Sequence, residues 1–311
     1  MRVTGNYFAD QFVTTVNGLS ARQQQLQNEV STGQRISSPE DDPAAVQRTL
    51  NLQADQKAVT QYANNISTLQ DRATTSFNAI KSVKTVSDRA GEIATMADGT
   101  RSPDELKAYA TEVTQLIKQT VQTMNSKDGD SYIFGGTQTS QPPYAITTDA
   151  NGNVTGVTYQ GNTNVADKPI ADGTTAAVDV PGSNTTGTGP QGVITDSRTG
   201  ADFFNHLISL QNHLLAGDTA SISSTDTPAL GKDENNIISQ ISNNGAIQTQ
   251  LETAQTANTQ QATSLTQLVS TQADANITDT IVQLNQAQYA YQAALQSGAG
   301  IMQKSLLDYL P

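Results

Sequence analysis

The two ends of this chain carry matching amphipathic stripes, and each stripe needs a helix to face it. Near the N-terminus, apolar residues recur at steps of three and four on one helical face: Phe12, Val16, Leu19, Leu26 and Val30. A stripe with the same spacing lies towards the C-terminus: Ile277, Ile281, Leu284, Tyr291, Leu295, Met302 and Leu306. Stripes of this period pack against other helices. Because neither end has a partner next to it in sequence, we expect the ends to pair with each other and with neighbouring copies.

The composition favours thin helical layers over a large core. Hydrophobic residues make up 35% of the 311 residues, aromatic residues make up 5%, and tryptophan is absent. The net charge of −12 argues against nucleic acid and against anionic membranes as partners. The absence of cysteine excludes disulfides and thiolate metal sites. Since no stretch reaches the ~18 apolar residues of a membrane span, we expect neither membrane insertion nor a cleaved signal peptide.

Turn and capping signals delimit the first helices. One helix should cover residues 1–32 and end at Gly33. The acidic pair in Asp41-Asp42-Pro43 predicts a capped helix start, because carboxylates there face unpaired backbone N–H groups. This second helix should run to about Ala97, since mostly apolar residues keep strict three-four steps from Val59 onwards.

The pattern changes after a third helix, which should run from Ser102 to about Asn125. Residues 130–200 are rich in Gly, Thr, Asn and Asp, and the turn pairs Asn151-Gly152 and Asp172-Gly173 lie between β-branched runs. Three such runs stand out: Tyr132–Phe134, Val154–Tyr159 and Ala176–Val180. Together they predict a small β domain inserted between helices.

Helical patterns return after this insert. One helix should begin near Asp202 and break at Ala216-Gly217-Asp218, and a long helical tract should begin at about Asp233. We expect the first and last elements to pair, and likewise the second and the penultimate. The predicted fold is mainly α: an elongated helical rod or coiled coil formed by the N- and C-terminal segments, with a small inserted β domain. Three parts are predicted: a terminal coiled-coil domain at 1–36 plus 277–311, a helical rod domain at 37–129 plus 201–276, and an outer β domain at 130–200.

No motif predicts catalysis. The two histidines, His206 and His213, are seven residues apart, which is too far on one helix for a shared zinc ion. The segment 149–153 resembles the start of a calcium loop, but its glycine is misplaced and Gln160 stands where a glutamate is needed. Nucleotide-binding and hydrolase motifs are absent as well. We therefore expect a protein that is not an enzyme and needs no cofactor or metal.

Two motifs at opposite ends resemble one protein family. EVSTGQRISSPEDDPAA at 29–45 and the stretch 274–310 are similar to the paired terminal signatures of bacterial flagellins and flagellin-like hook-associated proteins. The first signature contains a turn formed by these residues: Gly33, Arg35, Asp41, Asp42 and Pro43. Within the family, SYIFGGTQTSQPPY at 131–144, VTYQGN at 157–162 and the Ser305–Leu310 ending are most similar to proteins of the hook–filament junction. A terminal Pro311 and the polar stretch 181–200 depart from the pattern.

The resemblance implies a structural part of the bacterial flagellum that links hook to filament and templates flagellin assembly. It implies export by the flagellar secretion apparatus to an extracellular site, with the terminal helices forming an inner tube. The implied partners are other copies in a ring or helical layer, a neighbouring hook-associated protein, flagellin, and an export chaperone at the C-terminal helix. The alternatives are the filament flagellin itself, a catalytic domain displayed on such a scaffold, and an unrelated cytoplasmic coiled coil.

Overall fold

The computed structural model describes the backbone of residues 4–36 and 38–307, and the side chains of residues 10–36 and 38–300. Its helices are α1 Thr4–Thr32, α2 Pro43–Met96, α3 Pro103–Met124, α4 Phe203–Ala216, α5 Thr219–Ser221, α6 Thr227–Ala273 and α7 Ile277–Leu307. Short strands β1 to β9 lie between α3 and α4. The prediction of a mainly α chain with a small β insert is therefore confirmed.

The chain forms two compact units. Unit 1 contains Met1–Val59 and Gln260–Pro311, and unit 2 contains Thr60–Thr259. Helices α2 and α6 each contribute one segment to unit 1 and another to unit 2. These units do not coincide with the three parts given above, and that three-part division stays a prediction.

The starts and ends of the first helices follow the capping chemistry of the sequence. Asp42 Oδ1 accepts a hydrogen bond from the backbone N–H of Ala45 at 3.0 Å, at the start of α2. At the start of α3, the Ser102 and Glu105 side chains each bond the other's backbone N–H, which forms a capping box with a proline in the first turn. The helix bounds predicted for this part of the chain are thus confirmed to within a few residues.

The core of unit 2 is built around the regular stripe of α2. Within unit 2, the positions from Tyr62 to Ala97 that keep three-four steps are buried, except Tyr62, which is half-buried. From Ile80 onwards, the apolar positions pack against α3, α4 and α6 in a cluster that includes these fully buried side chains: Ile80, Ile93, Ile117, Met124, Phe134, Phe203, Leu207, Leu210 and Ile237. A smaller cluster joins Ile66 and Leu69 of α2 to Leu251 of α6. The predicted pairing of α2 with α6 is confirmed here, and the Lys84–Glu234 ion pair at 3.1 Å adds to it.

The β insert consists of small, separate sheets. The strand bounds are β1 Lys127–Asp128, β2 Ser131–Tyr132, β3 Tyr144–Thr148, β4 Val154–Tyr159, β5 Lys168–Ala171, β6 Thr174–Ala176, β7 Ser183–Asn184, β8 Thr195–Asp196 and β9 Ala201–Asp202. Antiparallel hairpins pair β1 with β2, β3 with β4 and β5 with β6, and a three-stranded sheet has the order β7-β8-β9. Asn151-Gly152 and Asp172-Gly173 lie in the turns of two hairpins, as predicted; Gly152 and Gly173 have φ values of 83° and 64°.

Buried side-chain amides attach the strands to the helices. Gln211 of α4 donates to the Val154 carbonyl at 3.0 Å and accepts from the Val154 N–H at 3.3 Å, so that it pairs with β4 as a strand would. Asn125 makes the same two bonds with Tyr144 of β3, both at 2.9 Å. Asn236 of α6 donates to the carbonyl of Val193 at 2.8 Å, in the loop before β8. Since buried backbone groups need partners, these amides allow the insert to pack on the helices.

Two predicted strands are shorter than their sequence runs. In the run 132–134, strand β2 ends at Tyr132, and Ile133 and Phe134 enter the helical core with 2% and 0% exposure. In the run 176–180, strand β6 ends at Ala176, and Val178 is buried against α2 and α6. The reason is that burial of large apolar side chains against helices outweighs extension of a two-stranded ladder.

The long helical tract begins earlier than the predicted start near Asp233. Gly217, with φ of 72°, caps the end of α4, and Asp218 then caps a new turn through the Ser221 N–H at 3.1 Å. A π-helical turn at Ile222–Asp226 continues directly into α6 at Thr227. This turn precedes Pro228, whose ring and missing N–H oppose regular α-helical continuation.

We predict that Gln211→Leu destabilises unit 2 by on the order of 2 kcal/mol, because it leaves the N–H and the carbonyl of Val154 unpaired in the core. Thermal or urea unfolding measures this change. The exposed neighbour Asn212 provides the control, and Asn212→Leu should leave the free energy of unfolding nearly unchanged. Equal effects of both substitutions would contradict the role assigned to Gln211.

Candidate assembly interface

Helices α1 and α7 of unit 1 pack as an antiparallel pair, and α1 uses the face that the sequence predicted. Leu26 is 1% exposed, and the other predicted positions are half-buried: Phe12, Val16, Leu19 and Val30. The opposite direction of α7 is shown by Phe12, which lies against Gly298, and by Arg22, which donates to Gln283 Oε1 at 2.9 Å. The pairing expected for the two chain ends is confirmed.

The stripe with which α7 meets α1 shares Leu284 and Tyr291 with the predicted one and otherwise differs from it. Its covered positions keep three-four steps and include several small residues: Thr280, Leu284, Ala287, Tyr291, Ala294 and Gly298. Ile277, Ile281 and Leu295 remain 39%, 42% and 43% exposed. At about 100° per residue they fall to one side of the covered stripe. The side chains of Met302 and Leu306 lie outside the described residues.

The missed residue with the clearest role is Gly298. A Cβ atom there would overlap the Phe12 ring, whereas a Cβ at Gly300 would meet nothing within 4 Å. The glycine therefore makes room for a large aromatic side chain at the helix–helix contact. An apolar-only pattern does not detect such a position, although Gly within a helical pattern is itself a signal of close approach.

The turn after α1 is bonded to the segment that joins α6 and α7. Gly33 has φ of 73°, and its carbonyl accepts from the Ala275 N–H at 2.8 Å. The Arg35 N–H donates to the Ala273 carbonyl at 2.8 Å, and its guanidinium donates to the Gln272 carbonyl at 2.9 Å. Gly33 and Arg35, which belong to the turn of the first signature, thus connect the N-terminal and C-terminal segments of unit 1.

The acidic residues of this turn organise the start of α2. Asp41 Oδ2 accepts from the Ser38 N–H at 2.8 Å, and Asp42 lies 3.5 Å from the Arg35 guanidinium. The hydrogen bond from the Ala45 N–H, followed by the charge of Arg35, holds the pKa of Asp42 below its usual value. Pro43 is the first residue of α2, where its missing N–H costs no hydrogen bond.

Large apolar side chains on α1 and α7 remain exposed after this pairing. Besides those named above, Val13 and Val282 are each about half exposed, and Tyr289 is 73% exposed. Exposed large apolar side chains on two packed helices of one unit are candidates for contact with a protein partner. We call these residues the exposed terminal surface: Val13, Ile277, Ile281, Val282, Tyr289 and Leu295.

The two histidines lie elsewhere, in unit 2, and each binds a buried carboxylate. His206 Nδ1 is 2.7 Å from Asp233 Oδ2, and His213 Nδ1 is 2.6 Å from Asp226 Oδ2. Ser209 also donates to Asp226, at 2.7 Å. These pairs join α4 to the π turn and to α6. Within the described part of the chain, no group of three or more His, Cys, Asp or Glu side chains could hold a metal ion.

The first part of the chain matches a known family model. Residues 3–139 match the bacterial flagellin N-terminal helical region. The flagellar hook-associated protein 3 of Salmonella typhimurium is 28% identical over 146 residues, which cover 46% of this chain and 46% of the relative. The chain therefore spans about half the length of the curated relatives it matches. None of the described helices is both long and apolar enough to cross a membrane.

Solved structures show the same fold. FlgL from Bacillus cereus is 21% identical with a TM-score of 0.55, covering 71% of this chain and 99% of that chain. The flagellar junction protein FlgL from Legionella pneumophila is 14% identical with a TM-score of 0.54, covering 74% of this chain and 100% of that chain. Residues 3–139 are therefore similar to the helical region of flagellins. The comparisons together support the resemblance to FlgL-type proteins of the flagellin family.

We predict that Gly298→Ala loosens the α1–α7 pair, because the added methyl group displaces the Phe12 ring. Overpacking of this kind costs about 1–3 kcal/mol. Amide hydrogen exchange along α1 should become faster in this variant. Gly300→Ala is the matched control, since its Cβ has open space and alanine favours the helix. The same exchange rates in both variants would contradict the proposed contact.

We predict that unit 2 loses thermal stability as the pH rises above about 6.5. The hydrogen bond and charge of Asp233 raise the pKa of His206 above its ordinary value of 6.5. Protonated His206 therefore contributes stability that is complete below 6.5 and is lost as the pH passes its higher folded pKa. Burial raises the pKa of Asp233 in spite of the His206 hydrogen bond. This raised pKa favours the folded state only at more acidic pH, where Asp233 is protonated.

Melting temperatures of the native chain and of His206→Asn, measured across this range, test the assignment. Asparagine keeps a hydrogen-bonding group near the Nδ1 position and cannot be protonated. The native chain should show a falling melting temperature, and the variant a smaller slope. An identical slope would show that other groups cause the pH dependence, with Asp202 and Lys232 the nearest charges to consider.

Proposed function

We propose that this chain joins the hook of a bacterial flagellum to its filament and offers the surface on which flagellin begins to assemble. The proposal rests on the curated relatives, which are hook-associated proteins, and on the fold shared with a protein described as the flagellar junction protein. It also rests on one structural observation. Unit 1 pairs the two chain ends and still leaves large apolar side chains exposed.

The exposed terminal surface is proposed to be the contact with neighbouring subunits. Burial of one Val, Ile or Leu side chain contributes roughly 1.5–3 kcal/mol, and a half-exposed side chain has about half of that still to gain. Several such residues on α1 and α7 therefore favour association when copies lie side by side. Copies of this chain would form a ring or helical layer through these contacts.

Other partners follow from the position of a junction. One side of the layer would contact a neighbouring hook-associated protein, and the other would contact the first flagellin subunits. The exposed side of α7, with Val282 and Tyr289, would be the surface for an export chaperone before assembly. The chain would act outside the cell after export by the flagellar secretion apparatus.

The relatives also bear on where the chain acts and on whether its role is structural. They are flagellar components, which supports a place in the flagellum and a structural role without catalysis or cofactor. The alternative, that the chain is the filament subunit, has less support because the relatives and structures named above are hook-associated or junction proteins.

Deletion of the gene, followed by electron microscopy of the cells and protein analysis of the medium, tests the proposal. We expect hooks without filaments and flagellin monomers lost to the medium, because filament growth lacks its starting surface. Absence of all secreted flagellin would instead make this chain the filament subunit. Normal filaments would contradict both roles.

Complementation of the deletion strain tests which surface is used. Leu295→Asp should restore fewer filaments than the native gene, since it places a charge on the exposed terminal surface. Gln296→Asp, at the exposed neighbouring position, adds the same charge and should complement fully. Thermal unfolding of unit 2 should be unchanged in both, because neither residue belongs to that unit.

A further inference from the structure

The three Asn-Gly pairs of this chain lie in different surroundings. Asn17-Gly18 lies inside α1 and Asn244-Gly245 lies inside α6, whereas Asn151-Gly152 belongs to the turn between β3 and β4. In an Asn-Gly pair the backbone nitrogen of the glycine reaches the asparagine amide easily, because glycine has no Cβ in the way. The surroundings therefore decide which of the three pairs can react in the folded chain.

The side chain of Asn151 is exposed at the tip of its hairpin. Its backbone N–H donates to Asp149 Oδ1 at 2.8 Å, but within the described part of the chain its side-chain amide forms no hydrogen bond. Gly152 has φ of 83°, and a Cβ there would meet nothing within 4 Å. Both members of the pair can therefore change conformation without displacing a neighbour.

Little of the fold has to open before this pair can react. The Gly152 N–H donates to the Asp149 carbonyl at 3.1 Å, and this bond closes the turn. The strands behind the turn form a two-stranded ladder with a register shift between Thr147 and Thr148. An exposed hairpin tip opens at a small cost in free energy, whereas core helices open only at a cost close to that of global unfolding.

Asn244 is protected by its position in α6. It is 1% exposed, and its Oδ1 accepts from Gln248 at 2.6 Å. The backbone of Gly245 lies in the middle of the same helix. Attack on this amide would require α6 to open within unit 2. The same pair of residues thus occurs once in an accessible turn and once in a buried helix.

Lys118 and Asp149 are the charged side chains that bond the turn in the described structure. The Lys118 ammonium, on α3, donates to the Gly152 carbonyl at 3.1 Å and places a positive charge near the Gly152 N–H. A cation there favours the amide that has lost its proton. The Asp149 carboxylate opposes this effect, but its charge is partly compensated by hydrogen bonds from Asn153 and from the backbone of Asn151.

We propose that Asn151 undergoes spontaneous deamidation in the folded chain and that Lys118 promotes the reaction. Hydroxide removes the Gly152 backbone proton, and the nitrogen attacks Cγ of Asn151 to form an N–Cγ bond. The Cγ–Nδ2 bond breaks, and Nδ2 leaves as ammonia after taking a proton from water. Water then opens the resulting cyclic imide at either carbonyl, which leaves aspartate or isoaspartate at position 151.

The reaction changes the charge of the hairpin tip and, in one product, its backbone. Each conversion adds one negative charge to a chain whose net charge is −12. Isoaspartate also adds a methylene group to the main chain, so the bond between Asp149 and Gly152 cannot keep its geometry. Older chains therefore carry an altered tip on an unchanged helical core.

Incubation of the purified full chain in mildly alkaline buffer, followed by peptide mass spectrometry, tests the proposal. We expect Asn151 to convert at least about tenfold faster than Asn244 in the folded chain. In guanidinium chloride, where the chain is unfolded, the two residues should convert at similar rates. Equal rates in the folded chain, or the same difference in the unfolded chain, would overturn the proposal.

Variants of Lys118 test the contribution of its charge. Lys118→Gln should convert Asn151 several-fold more slowly at a given pH, so that its curve of rate against pH lies at higher pH. Lys118→Arg keeps the charge and should keep the native rate. Loss of folding would make the reaction faster, so a slower rate cannot come from an unfolded variant. An unchanged or faster rate in Lys118→Gln would overturn the role of Lys118.

Discussion

The contact between α1 and α7 is the constraint on which unit 1 depends. Each helix has a stripe that its sequence neighbours do not cover, and the two stripes come from opposite ends of the chain. Closing a loop of this length costs chain entropy, although the cost grows slowly with length. The Gly33 turn offsets part of it by bonding to the segment between α6 and α7. Large and small residues then fit at the seam, as Phe12 and Gly298 show.

Unit 2 depends on a different solution, in which polar side chains position short strands on a helical core. A two-stranded hairpin is at best marginally stable in water unless it packs on another element. Gln211 of α4 bonds β4, Asn125 at the end of α3 bonds β3, and Asn236 of α6 bonds the loop before β8, so these amides fix the insert on the helices. The His–Asp pairs do the same for the irregular stretch between α4 and α6. The insert is therefore specified by buried hydrogen bonds more than by sheet formation.

The exposed residues of unit 1 differ in chemistry from most of the surface. The large side chains of the exposed terminal surface on α1 and α7 are apolar, so contacts made there would gain free energy from burial and would depend little on salt.

The sequence by itself determined the elements that depend on local chemistry. Capping residues, glycine turns and three-four periodicity gave the bounds of α1 to α3, the buried stripe of α2, two hairpin turns and the pairing of the chain ends. Only the tertiary structure decided which face of α7 meets α1 and where Ile133 and Phe134 pack. It also decided that a π-helical turn at Ile222–Asp226 precedes Pro228. The physical reason is that these outcomes depend on shape and on partners distant in sequence. Three such pairs are Gly298 with the Phe12 ring, Gln211 with the Val154 backbone, and Asp233 with His206. Each becomes recognisable only when both of its members are in place.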